Sequence, residues 1–303
     1  MPADDYSGNF QPLRQRLLAE TSGGYLRFIE GLEPRYWRVW LDISAGYLLL
    51  GLVIFLAGLP ASGAGRLVAS VLGAVAVGYA VAYLQLFLHE AAHQHLAQQR
   101  KLNDWLCDWL ISWQTATSVR LYRPVHFAHH RQLGTTTDAE NSYFRALGPR
   151  LLLETLTGVH VLRILLSRSR RLGSLAASGE GAGHQVPVLL RGALLHALVA
   201  GTAWTISGWP GLVAWVLGTG MFFPVFATIR QLLEHRAPDA DPAADYTQQE
   251  HGAFTRMFGR GPLASTFGGA GFNRHLLHHW EPQVSCTRLG DLEHYCPAPA
   301  PGP

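Results

Sequence analysis

The chain has 303 residues, is 48% hydrophobic and carries charge on only 15% of its positions, against about 25% in an average soluble domain. Its formal net charge of +3 is modest, and its basic residues gather beside apolar runs, which excludes no protein partner but argues against nucleic acid. Three cysteines, Cys107, Cys286 and Cys296, are an odd set without metal-binding spacing, as expected of reduced thiols in the cytoplasm.

The chain opens Met-Pro-Ala-Asp-Asp, without the basic stretch and apolar core of a cleaved signal peptide. The stretch YLRFIEGLEPRYWRVWLDIS sets Leu26, Ile29, Tyr36, Trp37 and Trp40 among charges, which predicts an interfacial amphipathic segment with an aromatic belt. Four runs without Asp, Glu, Lys or Arg follow: Ile43–Leu59, Leu67–Leu88, Gly192–Trp209 and Gly211–Ile229. A helix needs ~20 residues to cross a hydrocarbon core of ~30 Å, so these runs predict four membrane spans in two hairpins. Positions 1–41 hold five Lys or Arg, 94–186 hold eleven and 230–303 hold six, while Pro60–Arg66 and Trp209–Pro210 hold one between them. The positive-inside rule then places both termini and the middle segment in the cytoplasm.

Between the hairpins, DWLCDWLISWQTATSV (104–119) is apolar but broken by Asp108, which predicts a dip into the interface. SRSRRLGSLAASGEGAGHQ (167–185) reads as a flexible connector, and the closing CPAPAPGP as a flexible tail. The expected organisation is an N-terminal cytoplasmic segment over 1–41, a main domain over 42–290 and a tail over 291–303. The fold class is an all-α integral membrane protein: four transmembrane helices under a cytoplasmic helical cap.

The histidines carry the chemistry. HFAHH (126–130) and HLLHH (275–279) repeat one His-x-x-His-His spacing. Positions i, i+3 and i+4 share a helix face, so each set of three rings can point at one place. His89 and His93 stand four apart at the inner end of the second span, and His235 follows the fourth. Nine imidazoles reach one membrane level, more than the three or four protein ligands of a single zinc. They suit two metal ions, with Fe, Zn, Cu and Ni all compatible with imidazole. HEAAH (89–93) also matches the His-Glu-x-x-His of zinc proteases, with Glu90 as general base, but that reading leaves seven histidines without a task. His95 faces away from His93 on a continuous helix, and His196 reads as a packed polar residue within a span.

The ordered boxes resemble those of the membrane fatty acid desaturases, within the wider membrane di-iron desaturase and hydroxylase superfamily. HEAAHQHLAQQRKLND is similar to a first histidine box, RPVHFAHHRQLGTTTDAE to a second, and NRHLLHHWEPQVS to a third. EHR at 234–236 is similar to the Glu-His pair after the last span of many bacterial members. The resemblance spans roughly residues 40–290. It implies that His89, His93, His126, His129, His130, His235, His275, His278 and His279 hold two iron ions. Gln231 is implied as a water-mediated ligand, and Glu90, Glu234 and Asn273 as hydrogen-bond partners of the ligands.

The implied activity is O2-dependent oxidation of an unactivated C–H bond in a lipid-like substrate, foremost desaturation of a fatty acyl chain. A hydroxylase or ketolase acting on a lipid, terpenoid or carotenoid is the alternative within the superfamily, and the single-zinc intramembrane protease the alternative from another class. A substrate tunnel lined by Trp105, Trp109 and Trp113 is expected, because the three recur every four residues. No haem, flavin or iron–sulfur motif is present, so electrons must come from an external donor such as a ferredoxin with its reductase. Arg120, Arg123, Arg131 and Arg236 are expected to receive that donor or an acyl carrier. The implied location is a bacterial cytoplasmic membrane, with membrane lipids around the spans and no nucleic-acid partner.

Overall fold

The computed structural model describes residues 15, 17–19, 23–160, 162, 163, 166, 182–259 and 261–296. Most of the expected connector and the end of the expected tail, 297–303, lie outside them. Helices and turns make up the described residues, with no strand among them. A short α1 (Gly24–Glu30) precedes two long helices, α2 (Tyr36–Ala57) and α3 (Gly63–Ala92). Three smaller helices follow: α4 (Arg100–Leu110), α5 (Val119–Gln132) and α6 (Pro149–Leu156). The long α7 (Ala182–Leu217) joins α8 (Phe223–His235) through a π-helical turn, Gly218–Phe222. Short helices α9 (Pro262–Phe267), α10 (His275–Trp280) and α11 (Leu289–Tyr295) close the fold.

Among the described residues, three helices are long and apolar enough to cross a membrane: Tyr36–Ala57, Gly63–Ala92 and Gln185–His235. The last is not straight. At ~1.5 Å per residue, Trp215 would stand ~28 Å along the axis from His196, yet the two rings lie 5.4 Å apart. The chain doubles back at Gly208, whose φ of 63° and ψ of −154° lie outside helix geometry, with Pro210 restarting the helix. α2 buries Val39, Ile43, Gly46, Leu50, Ile54 and Ala57, a stripe of three- and four-residue steps that packs on α3. Its outer residues Leu48, Leu52 and Phe55 are exposed, as are Leu67 and Leu72 of α3 and Leu194 and Leu198 of α7. Gly78 lets α3 meet the π-helical turn, since a Cβ there would fall 2.4 Å from Cβ of Phe222.

α3 has 30 residues and so extends ~45 Å, about 15 Å more than a hydrocarbon core requires. Its surplus turns carry His89 and Glu90 beyond the apolar run. The helices therefore overrun the charge-free runs 43–59, 67–88, 192–209 and 211–229, because a helix continues past the point where its residues must be apolar.

Two expectations about the chain's ends are corrected. The N-terminal segment is not only interfacial: Tyr25 and Ile29 are buried, Tyr25 Oη donates to Glu281 Oε1 at 2.8 Å, and Phe28 stacks on Tyr295 at 4.1 Å. A flexible tail does not begin at 291, since α11 spans that position with Leu289 and Leu292 fully buried.

Candidate metal centre

The overhanging end of α3 supplies His89 on its last turns and His93 at its C-cap. Arg123 fixes that end: its Nε donates to Ala92 O at 2.8 Å and its Nη2 to Ala91 O at 3.0 Å. The same guanidinium pairs with Asp104 at 2.5 Å, so α3, α4 and α5 meet at one buried arginine. α5 starts where the Ser118 hydroxyl accepts from Leu121 N, and it presents His126, His129 and His130. α8 ends on His235, and α10 presents His275, His278 and His279.

All nine predicted histidines converge. His126 Nε2 lies 2.9 Å from His93 Nε2 and 3.0 Å from His130 Nε2, which itself lies 3.1 Å from His278 Nε2. On the other side, His275 Nε2 lies 3.0 Å from His235 Nε2 and 3.2 Å from His279 Nε2. His89, His93, His126, His130 and His278 form one group, and His129, His235 and His279 another that His275 joins. Ring centroids of His130 and His279 are 4.2 Å apart, so the two groups adjoin.

This spacing fits a shared cation better than hydrogen bonds. A neutral imidazole nitrogen has either one proton or one lone pair, yet His126, His130 and His275 each turn one nitrogen to two others. Two nitrogens each ~2.1 Å from one ion, at a right angle, stand roughly 3.0 Å apart. His89 adds an orphan: it is buried, neither of its nitrogens has a hydrogen-bond partner among the described residues, and Glu90 Oε1 is 3.9 Å from Nδ1. Burial first, then neighbouring imidazoles, pushes His130, His275, His278 and His279 below the ordinary histidine value, and His126 down to about 3. Buried neutral rings are the ligand form.

The outward nitrogens meet a second ring of groups. His129 Nδ1 donates to Asp138, 2.9 Å from Oδ1, with Tyr143 Oη 3.2 Å away. His235 Nδ1 donates to Phe254 O at 3.1 Å, which fixes the tautomer that turns Nε2 inward. His126 Nδ1 faces Glu140 Oε2 at 3.8 Å and Tyr122 Oη at 3.3 Å. Glu234 Oε1 lies 3.8 Å from His275 Nδ1, the nitrogen turned away from His235 and His279, which is too far for a hydrogen bond but close enough for Glu234 to group with His235 and His275. Asp138 and Glu140, absent from the predicted set, belong to the TTTDAE that trails HFAHH, so the sequence carries the signal for them.

Glu90 does not have the role a zinc protease needs. It is fully buried, and its Oε2 accepts from Ser285 Oγ at 2.9 Å and Cys286 N at 3.0 Å, with His95 Nδ1 at 3.1 Å. His95 thus faces Glu90 and Gln283 O, where an uninterrupted helix would have turned it outward; α3 stops at Ala92 and Gln94 takes a φ of 67°. Asn273 donates to Gly259 O at 2.6 Å, not to an imidazole, and so anchors the 256–259 segment beside the third box.

A cavity of about 430 Å³ reaches the centre at His89, His126, His129, His235 and His275. Ala82, Leu88, Leu121, Val125, Phe223 and Ala227 give it apolar walls, and Gln231, one turn before His235, lines it. The expected tryptophan lining is corrected. None of Trp105, Trp109 and Trp113 is among the lining residues. Trp105 and Trp109 stand exposed on α4, and α4 ends at Leu110, so the turn after it swings Trp113 onto His196 and Trp215. The expected basic docking surface also shrinks: Arg123 and Arg236 are buried, and Arg236 donates to Arg145 O and Asp241 O.

Apolar helices that carry nine converging imidazoles to a cavity define a helical membrane-type protein with a histidine cluster suited to a metal site. The fatty acid desaturase family model matches residues 66–301, more than three quarters of the chain, and the chain belongs to that family. This is an oxidoreductase family, and it implies a lipid acyl substrate. No curated protein matches the chain.

Proposed function

We propose that the protein oxidises an unactivated C–H bond of a lipid-like chain with O2, foremost to desaturate a fatty acyl chain. The observation that carries this reading is the cavity: it touches His89 and His126 of one imidazole group and His129, His235 and His275 of the other. A chain in it lies against both groups at once. Five and four histidines would hold two iron ions, which when bound would supply the O2 activation that protein side chains lack. The protein's own part is to position and to exclude water. Leu88, Val125 and Phe223 seat the chain, while Asp138 and the Phe254 carbonyl hold the His129 and His235 rings in their ligand tautomer. Gln231, on the same wall, is suited to act through water.

The reversal at Gly208 supports two crossings within 185–235, hence four in all, with the centre on the cytoplasmic side where basic residues gather. The electrons come from an external carrier of ferredoxin type. Hydroxylation or ketolation differs only in the fate of the attacked carbon. Expression in a bacterial host, with mass spectrometry of its lipids, separates the two: a product two hydrogens lighter supports desaturation, and one carrying oxygen supports the alternative. His278→Ala is the control, and product formation unchanged in that variant sinks the proposal.

A further inference from the structure

Three of the residues described as lining the cavity are exposed, and all three are leucines: Leu162 (54%), Leu166 (47%) and Leu189 (55%). These mark its mouth. Val186 and Leu190 beside it are exposed as well, on a helix apolar enough for a membrane. An opening framed by aliphatic side chains faces lipid more favourably than water.

A charged cluster stands next to this mouth. Glu154 of α6 is buried and accepts from Arg145 Nη1 at 2.6 Å and Arg150 Nε at 2.9 Å, and it pairs with Arg163, the neighbour of Leu162. Among the described residues, three guanidiniums on one carboxylate leave a local charge of two positive. Arg150 and Arg163 are exposed, and each keeps most of its five N–H donors beyond the one that Glu154 takes. Topology alone asks for basic residues on this side of a membrane. It does not ask that they be gathered on a buried acid at the entrance of a cavity.

We propose that Arg150 and Arg163, held by Glu154, bind the headgroup phosphate of a membrane phospholipid whose acyl chain enters past Leu162, Leu166 and Leu189. The planar guanidinium matches a phosphate by paired hydrogen bonds. The substrate is then a chain still esterified in the bilayer, entering sideways. This assignment rests on the acyl-chain reading above.

The test uses the full-length protein in detergent with di-oleoyl phosphatidylglycerol as the probe, retained lipid being counted by native mass spectrometry. Arg150→Gln/Arg163→Gln is compared with wild type, with metal content and the melting midpoint as controls for folding. The expected result is one retained phospholipid in wild type and at least ~10-fold weaker retention in the double variant, with metal content unchanged. Equal retention in both overturns the site. A second arm offers oleoyl-coenzyme A: arginine-dependent retention of this thioester, with none of the phospholipid, overturns the bilayer source. Arginine-dependent phospholipid retention without any oxidised acyl product leaves the site standing and removes the catalytic reading instead.

Discussion

Ser285 Oγ donates to Glu90 Oε2 across 195 positions of chain, at 2.9 Å and in full burial. His95 and the Cys286 amide meet the same oxygen, so one carboxylate joins the end of α3 to the turn after α10. The first and third histidine boxes are therefore braced against each other through one oxygen of an acid whose other oxygen lies 3.9 Å from His89 Nδ1.

Glu90→Ala leaves these donors buried without an acceptor, at about 1–3 kcal/mol for each unmet group. We expect a melting midpoint lower by several degrees and reduced iron in both imidazole groups. A variant that melts and loads iron like wild type would show that the brace carries no stability.

Arg123 links three helices and caps two carbonyls at the end of α3. Its loss leaves the buried carbonyls of Ala91 and Ala92 without their donor, at about 1–3 kcal/mol for each unmet group, while the partly exposed Asp104 can turn to water. Arg123→Ala is expected to fold poorly, and Arg123→Lys to recover only part of the loss, since an ammonium cannot reach Ala91 O, Ala92 O and Asp104 together. Denaturant unfolding of both variants measures this; full recovery by lysine contradicts the geometry.

Asp138 orients His129 through Nδ1. Partners of this kind are worth roughly 10- to 100-fold in metal affinity. Asp138→Asn should release iron to a competing chelator faster than wild type with little change in the melting midpoint of the metal-free protein. Equal release rates would place Asp138 outside the centre's support.

His160 is buried beside Arg145 and Arg163, and burial with these guanidiniums holds it down to about 4. The unfolded chain takes up this proton near pH 6.5, the folded one only near 4. The contribution of this group to stability is thus present above pH 6.5 and declines as pH falls from 6.5 towards 4. His160→Gln should flatten that part of the stability profile, read from urea midpoints at successive pH values; an unchanged slope refutes the assignment.

Much of the centre was legible because helical spacing is local. His126, His129 and His130 need only a helix to share a face, and the trailing Asp138 and Glu140 lie 8 to 14 positions beyond them. What was not legible depends on distant contacts. The burial of Tyr25 is decided by Glu281, the turn of Trp113 by the end of α4, and the placement of His95 by a left-handed Gln94. Arg123 read as a surface charge because nothing near it in sequence discloses the carbonyls of Ala91 and Ala92. The reversal within 185–235 was signalled by Gly208 and Pro210, and there local chemistry sufficed.

The central claim is that five and four histidines hold two irons, and metal counting tests it most directly. Purified protein is analysed for iron and zinc per chain, beside His278→Ala in the first group and His235→Ala in the second. The account predicts two irons in the native chain and a loss of about one from each variant. One zinc per chain, or full iron in both variants, would contradict it.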